Sequence, residues 1–121
     1  MIELHQMKCQ VCEHGDAQLS DEEIQNKLTQ INQWQLIEVN GIKRLRRTYS
    51  FKDFSTALDF TNQVGKIAEE EGHHPSILTE WGKSTVTWWT HNINGLHLND
   101  FIMASKTDEK YNEIDWGITS H

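Results

Sequence analysis

Residues 34–51 read WQLIEVNGIKRLRRTYSF and predict a β-hairpin in this chain of 121 residues. Two runs of strand-forming residues flank the pair Asn40-Gly41, and both residues of this pair tolerate the positive φ of a tight hairpin turn. We therefore predict two antiparallel strands, the second of which ends near Phe51. The second strand also carries a basic cluster that we expect on its solvent side: Lys43, Arg44, Arg46 and Arg47.

Helical patterns lie on both sides of this hairpin. Residues 20–31 begin with a capping residue, Ser20, and repeat apolar residues at helical spacing. Residues 53–71 place an apolar stripe behind a second capping residue, Asp53. Residues 97–114 repeat the helical spacing, so the sequence predicts three amphipathic helices.

A second hairpin is predicted between the last two helices, where the strand-like runs SILTEW and STVTWWT flank Gly82-Lys83. The resulting order of elements is α-β-β-α-β-β-α. Because all three helices are amphipathic, we expect them on one face of a four-stranded antiparallel sheet, with the other face open. The predicted fold class is therefore α+β.

The length of the chain suits one domain, because domains commonly contain about 100–150 residues. We place this domain at residues 20–115. Residues 1–19 are expected to form a loose extension, because chain termini are commonly disordered unless contacts hold them. Residues 116–121 are expected to form a C-terminal tail.

Two cysteines, Cys9 and Cys12, form a CxxC pair in this extension, and His14 follows closely. The spacing suits half of a zinc site or a redox pair. No second ligand pair with zinc-finger spacing follows, and no predicted strand precedes the pair as a thioredoxin-like motif would need. Reduced thiols are the favoured interpretation, and metal binding and redox activity stay open.

The charge and hydropathy of the chain argue against two classes of partner. A formal net charge of −7 repels phosphate backbones over most of the surface, so nucleic-acid binding is not expected. No apolar run approaches the roughly 20 residues that span a membrane, and the N-terminus lacks a charged segment followed by an apolar core. We therefore expect a cytoplasmic protein.

A pair of histidines stands where the second helix must end, in EEEGHHPSILTEW, residues 69–81. Pro75 disfavours the α conformation of His74, and Gly72 suits a left-handed helix cap. The chain is therefore expected to turn sharply and to project His73 and His74 at the junction of helix and strand.

Other residues are expected to complete a pocket around this pair. Glu69 lies four residues before His73, within reach of an imidazole if the helical turn persists. His91 is expected on the last strand, on the open face of the sheet, where it would converge with the histidine pair. Trp81 and Trp89 would offer flat surfaces to a planar ring.

Three converging histidines suit either proton transfer or metal binding. Imidazole is an acceptable zinc ligand, but adjacent histidines in an extended segment diverge, and no cysteine or carboxylate is spaced to complete a site. Free imidazoles have an ordinary pKa of about 6.5 and can give or accept protons near neutrality. We therefore favour acid–base chemistry and expect no metal.

The spacing of these residues resembles the signature of the pterin-4a-carbinolamine dehydratase (4a-hydroxytetrahydrobiopterin dehydratase) family, in its bacterial phenylalanine-hydroxylase-associated type. The matching positions are an acid, a His-His-Pro triplet, an aromatic residue, a further histidine and an aspartate: Glu69, His73, His74, Pro75, Trp81, His91 and Asp100. The resemblance extends from about Ser20 to Tyr111, and the family's order of elements agrees with the predicted one. The chain departs from the family at His97, where a serine is the ordinary helix cap, and at Gly72, where some relatives carry an acid.

The resemblance implies a hydro-lyase that dehydrates 4a-hydroxytetrahydrobiopterin to quinonoid dihydropterin. This step recycles a pterin cofactor after an aromatic amino acid is hydroxylated. The pterin is the substrate, and no metal or organic cofactor is implied. The implied catalytic residues are His73, His74 and His91. Substrate contacts are expected from Glu69, Pro75, Trp81, Trp89 and Thr90, and Asp100 is a structural part of the motif.

Within the triad we hypothesise that His73 and His91 transfer protons while His74 positions the pterin, and which of the two is the acid stays open. The resemblance also implies a functional link to phenylalanine hydroxylase and a homodimer or homotetramer. The alternative to catalysis is an interaction protein of the same fold, either a transcriptional coactivator that acts as a dimerisation partner or an assembly factor. The intact motif favours the enzyme.

Overall fold

The computed structural model describes residues 3–10 and 17–114, and within these ranges it contains three α-helices and four β-strands. The helices are α1 (Asp21–Leu28), α2 (Phe54–Glu71) and α3 (Leu98–Glu113). The strands are β1 (Gln35–Val39), β2 (Ile42–Ser50), β3 (Ser76–Glu80) and β4 (Lys83–Trp88). Two short 3₁₀ turns cover Leu4–Gln6 and His91–Ile93. In the described ranges no helix combines the length and the apolar character needed to cross a bilayer.

The four strands form one antiparallel sheet in the order β1-β2-β4-β3. Asn40 and Gly41 turn the first hairpin with positive φ values of 53° and 78°, as the sequence predicts. The second hairpin turns at Trp81 and Gly82, and Lys83 already belongs to β4. The predicted α+β class and the predicted order of elements are confirmed.

Alternate residues of the two central strands face the helices. Leu45 and Tyr49 of β2 and Val86 and Trp88 of β4 are at most 1% exposed. On the opposite face, Leu78 of β3 remains 58% exposed. Each helix contributes buried side chains to the core on the covered face: Ile24 from α1, Phe60 and Val64 from α2, and Phe101 and Ile102 from α3.

Arg47 faces the helices, which corrects the expectation that the whole basic cluster lies on the solvent side. It shares a face with Leu45 and Tyr49 because strand residues alternate. Its Nη1 donates to Asp108 Oδ1 at 2.7 Å, and the Tyr49 hydroxyl donates to the same oxygen at 2.5 Å. The Trp34 indole donates to both oxygens of Asp108, at 3.0 and 3.1 Å. Burial and, after it, the Asp108 carboxylate raise the pKa of Tyr49 well above its ordinary value.

β4 ends sooner than predicted, so His91 does not lie on the strand. Strand pairing stops at Trp88, and Thr90 instead forms an isolated bridge with Gly95. The neighbouring strand β3 begins only at Ser76, after a proline that has no N–H to donate. His91 therefore begins a 3₁₀ turn.

Residues 3–10 pack against the domain, in contrast to the predicted loose extension. Leu4 is 8% exposed and belongs to the hydrophobic core, and its 3₁₀ turn contacts α3. Lys106 of α3 donates from Nζ to the carbonyl oxygen of His5 at 2.9 Å. The boundaries of the domain stay a prediction. Outside the described residues lie other parts of the predicted extension and tail: Cys12, His14 and residues 116–121.

Candidate active site

The histidine pair lies at the C-terminal end of α2, as the sequence predicts. Gly72 caps the helix in the left-handed conformation, with φ 67° and ψ 28°. The N–H of His73 still donates to the carbonyl oxygen of Ala68, at 3.1 Å, and β3 begins directly after Pro75. The two imidazoles therefore leave the chain at a sharp, hydrogen-bonded turn between a helix and a strand.

The imidazole of His73 is held on two sides. Its Nε2 is hydrogen-bonded to Asp100 Oδ1 at 2.6 Å, and its side chain is 11% exposed. Its ring lies nearly parallel to that of Trp88, with 7° between the planes and 5.6 Å between the centroids. Trp88 is itself fixed, because its Nε1 donates to the Thr107 hydroxyl at 3.1 Å. His73 thus lies on the helix side of the sheet, which corrects the expected position on the open face.

Asp100 joins three elements at this point. The carboxylate is fully buried, and its Oδ2 accepts from the Thr90 hydroxyl at 2.7 Å and from the His97 N–H at 3.0 Å. His97 is the cap residue of α3, and its Nδ1 accepts from the Asn99 N–H at 3.1 Å. The ionised carboxylate can only accept, so His73 donates from Nε2 and a neutral His73 carries its lone pair on Nδ1.

His74 has a different environment, because its side chain is 60% exposed. Its Nε2 is hydrogen-bonded to Glu69 Oε2. The sequence predicts Glu69 as a support for an imidazole of the pair, and the structure places it on His74 instead of His73. Since both groups of this ion pair are exposed, solvent and salt screen their interaction.

His91 is the third histidine of the site, and it is exposed to solvent. Its ring lies 4.6 Å from that of Trp89, with a tilt of 45°. The guanidinium carbon of Arg44 lies 4.0 Å from the centroid of the same indole. Trp89 thus supports the ring of His91.

The three histidines share one open cavity of about 520 Å³, which is within the usual size range of small-molecule sites. Its lining consists of Cys9, Gln10, Glu71, Gly72, His73, His74, Thr90, His91, Asn92 and Asn99. Burial and, after it, the carboxylates of Glu71 and Asp100 raise the pKa of the Cys9 thiol to about 12.

Six of these lining residues are not among the site residues predicted from the sequence: Cys9, Gln10, Glu71, Gly72, Asn92 and Asn99. Asn99 precedes the motif residue Asp100 at the start of α3, and this position is a local signal that could have identified it. Neither the CxxC spacing of Cys9 nor the sequence around Gln10 predicts a place at this cavity, because their hydrogen-bond partners lie 62 and 89 residues away in the sequence.

Several predicted site residues do not line this cavity. Trp81 is 71% exposed in the turn between β3 and β4. The five-residue strand β3 separates it from the histidine pair by about 16 Å, at about 3.3 Å per residue. Pro75 shapes the turn, while Glu69 and Trp89 contact His74 and His91 from outside the cavity wall.

Among the residues that the structure describes, no group of three histidine, cysteine, aspartate or glutamate side chains is arranged to hold a metal ion. The two alternatives for the CxxC pair stay open, because Cys12 and His14 lie outside those residues.

Comparison with known proteins identifies one family. A family model described as Pterin 4 alpha carbinolamine dehydratase matches residues 17–110 of the chain. Curated relatives match nearly the whole chain, and their names give this activity as a provisional assignment. The protein of Chlorobaculum tepidum is 52% identical over 109 residues, which cover 90% of this chain and 98% of its own. The protein of Marinobacter nauticus is 53% identical over 111 residues, which cover 92% of this chain and all of its own.

Two solved structures share the fold. One is a transcriptional coactivator/pterin dehydratase from Brucella melitensis, with a TM-score of 0.70 and 34% identity over 78% of this chain and 98% of that chain. The other is a pterin dehydratase-like protein identified as a RuBisCO assembly factor in the alpha-carboxysome. It has a TM-score of 0.55 and 18% identity over 64% of this chain and 87% of that chain, so this likeness shows the fold alone.

Proposed function

The chain belongs to the pterin 4 alpha carbinolamine dehydratase family, and we propose that it is an active dehydratase of 4a-hydroxytetrahydrobiopterin. The reaction breaks the bond between C4a and the hydroxyl oxygen, removes the proton from N5 and forms a double bond between C4a and N5. The products are quinonoid dihydropterin and water. No metal or organic cofactor enters this proposal, because the pterin is the substrate.

One observation carries this proposal: His73 is held between Asp100 and Trp88 at the wall of a cavity that two further histidines share. The dehydration needs one proton for the departing hydroxide and the removal of another from N5. An imidazole with an ordinary pKa of about 6.5 can perform either transfer near neutral pH. A buried carboxylate that fixes the ring places its free nitrogen in one direction, which proton transfer requires.

The environments of the three histidines support a division of labour. His73 has one fixed ring orientation, and its Nδ1 is available as a proton acceptor in the neutral form. His91 is exposed and stands in the same cavity, so we assign it the second proton transfer. His74 is paired with the exposed Glu69, and we assign it to positioning of the pterin. Thr90 lines the cavity and donates a hydrogen bond to Asp100. We therefore assign it two roles, contact with the substrate and support of His73 through the Asp100 carboxylate.

The test is a stopped-flow assay with freshly generated 4a-hydroxytetrahydrobiopterin. We expect the protein to accelerate dehydration over buffer and over the double variant His73→Ala/His91→Ala. Removing a proton-transfer residue typically costs about 10²–10⁴-fold in rate. A wild-type rate equal to that of buffer would refute the enzymatic proposal.

The biological setting is also part of the proposal. Dehydration of this substrate would recycle the pterin for a phenylalanine hydroxylase, in the cytoplasm. We further propose a homodimer or homotetramer, because β1 and β3 are edge strands whose unpaired backbone groups can pair with another chain. A monomeric mass in sedimentation at micromolar concentration would contradict the homo-oligomer.

A second candidate is a non-catalytic interaction protein of the same fold. The observation that favours it is an exposed apolar pair at the start of α2, since Phe54 and Leu58 are each 43% exposed and lie one helical turn apart. The Brucella relative is described as both a coactivator and a dehydratase, so the two roles are compatible. The variant Phe54→Ser/Leu58→Ser would leave dehydration unchanged and abolish binding of a partner to this surface.

A further inference from the structure

We propose that the N-terminal segment, residues 3–10, forms a substrate-positioning wall of the pocket and that Asn99 is the residue that holds this wall in place. The inference rests on the proposed dehydratase function and deepens it. The segment precedes residues 17–110, the part of the chain that the family model matches. The segment lies outside that matched range, and its last two residues, Cys9 and Gln10, line the same cavity.

Asn99 binds the end of the segment with both functional groups of its amide. The side chain is 2% exposed, its Oδ1 accepts from the N–H of Gln10 at 2.8 Å, and its Nδ2 donates to the carbonyl oxygen of Gln10 at 2.7 Å. The adjacent N–H of Cys9 donates to Glu71 Oε1 at 2.8 Å. Three hydrogen bonds thus fix two consecutive residues of the segment, and both residues line the cavity.

The end of α2 and the start of α3 support both the wall and His73. Glu71 lies two residues before His73 at the end of α2. Asn99 immediately precedes Asp100, which is hydrogen-bonded to His73. Because both supports are next to the supports of His73, the wall has a defined position relative to the reacting imidazole. A wall placed in this way can fix the orientation of a substrate.

The chemistry of the wall suits an uncharged heteroaromatic ligand. Cys9 contributes a thiol that stays protonated at neutral pH, since its pKa is raised to about 12. Gln10 contributes an exposed, uncharged amide. A pterin ring carries amide-like donors and acceptors along its edge, and pockets for such ligands combine packing surface with a few placed polar groups.

The first experiment deletes residues 1–10 from the full chain and measures steady-state dehydration. We expect KM to rise about tenfold, which corresponds to about 1.4 kcal/mol of binding, while kcat changes by less than about threefold. Partial unfolding would lower the apparent kcat and leave KM unchanged, so the two causes are separable. Lys52→Ala, at an exposed position outside both the segment and the cavity lining, serves as the control and should leave both constants unchanged.

The second experiment tests whether Asn99 acts through the segment. Asn99→Asp loses the donor to the Gln10 carbonyl and places a negative charge against it, so KM should rise by about tenfold in the full chain. In the protein without residues 1–10 the same substitution should change KM by less than about twofold, because its target is gone. The proposal would be overturned if Asn99→Asp raised KM as much in the truncated protein as in the full chain. It would also be overturned if truncation alone left KM unchanged.

Two further measurements keep the outcome decisive. If the truncated protein does not fold, Cys9→Phe in the full chain extends the wall into the cavity, and an unchanged KM would then overturn the proposal. The dissociation constant of dihydrobiopterin, a stable pterin, reports on the wall without catalysis. A wild-type protein that binds dihydrobiopterin but does not dehydrate the carbinolamine refutes the proposed function alone, and the wall is then judged by the loss of dihydrobiopterin affinity. A wild-type protein that binds no pterin refutes both.

Discussion

His73 and Asp100 are joined by a hydrogen bond of 2.6 Å between residues that lie 27 positions apart in the sequence. The bond connects the end of α2 to the start of α3, and the Thr90 hydroxyl joins the same carboxylate after β4. The site therefore depends on the relative placement of two helices and a strand. It also gives one imidazole a fixed orientation in an otherwise open cavity.

Asp100→Asn is expected to lower kcat by about 10²–10⁴-fold, because an amide cannot accept hydrogen bonds at both of its polar atoms. Its NH₂ group would face either His73 or the Thr90 and His97 donors. If it faced His73, the imidazole proton would move to Nδ1, and Nδ1 would no longer offer a free lone pair to accept a proton. The measurements are stopped-flow kinetics and nitrogen chemical shifts of His73, which report the tautomer.

Asp59→Asn, an exposed carboxylate on α2, is the matched control for that experiment and should leave kcat unchanged. An Asp100→Asn protein with wild-type kcat and an unchanged His73 tautomer would show that the hydrogen bond has no catalytic consequence.

The alanine variants of His91 and His74 should differ in which kinetic constant they change. His91→Ala is expected to lower kcat by about 10²-fold or more, as for loss of a proton-transfer group. His74→Ala is expected to raise KM and to leave kcat within about threefold, because it removes a positioning contact. Trp81→Ala should change neither constant by more than about twofold, since Trp81 lies at the far turn of the β3–β4 hairpin. A large fall in kcat for His74→Ala with an unchanged KM would contradict its assigned role.

Asp108→Ala should lower the free energy of unfolding by about 2–3 kcal/mol, because it leaves three donors without their acceptor at the edge of the core. These donors are the Trp34 indole, the Arg47 guanidinium and the Tyr49 hydroxyl. Urea denaturation followed by tryptophan fluorescence measures the change as a midpoint that falls by about 1–2 M.

Glu109→Ala provides the comparison on the same helix. Its carboxylate lies 3.8 Å from His5 Nε2 and is 45% exposed, so its removal should cost less than about 0.5 kcal/mol. Equal costs for the two alanine variants would mean that the Asp108 cluster does not stabilise the fold beyond a surface ion pair.

Cys9 should react slowly with thiol reagents in the folded protein. Its pKa of about 12 lies above the ordinary value, so at pH 8 the folded state holds far less thiolate than the unfolded state. The rate of labelling in a Cys12→Ser background should rise on the order of 10²–10³-fold when the protein is unfolded in urea. Because the pKa of Cys9 is higher in the folded state than in the unfolded state, the free energy of unfolding should fall as the pH rises above about 8.5, where the unfolded thiol begins to ionise. Equal labelling rates in the folded and unfolded states would show that Cys9 is not buried against α2 and α3.

Much of the fold could be predicted because its turns and helix ends are determined by local sequence. The pair Asn40-Gly41 tolerates a turn with positive φ, Asp53 caps α2, and Gly72 ends it, and each of these outcomes depends on one or two residues and their immediate neighbours. The alternation of apolar residues in β4 likewise indicates that Val86 and Trp88 face the helices.

Other features were decided by contacts between distant parts of the chain. Strand alternation turns Arg47 inward with Leu45 and Tyr49, but its partner there is Asp108 of α3, 61 residues later, which the sequence around Arg47 does not indicate. Asp100 binds His73 while Glu69 binds His74, and the spacing along α2 alone does not distinguish these pairings. Cys9 lies at the cavity because α2 and α3 present hydrogen-bonding groups to a segment that has no structural signal of its own. Turns and helix caps follow from short-range sterics and hydrogen bonds, whereas the partner of a side chain depends on which elements pack together.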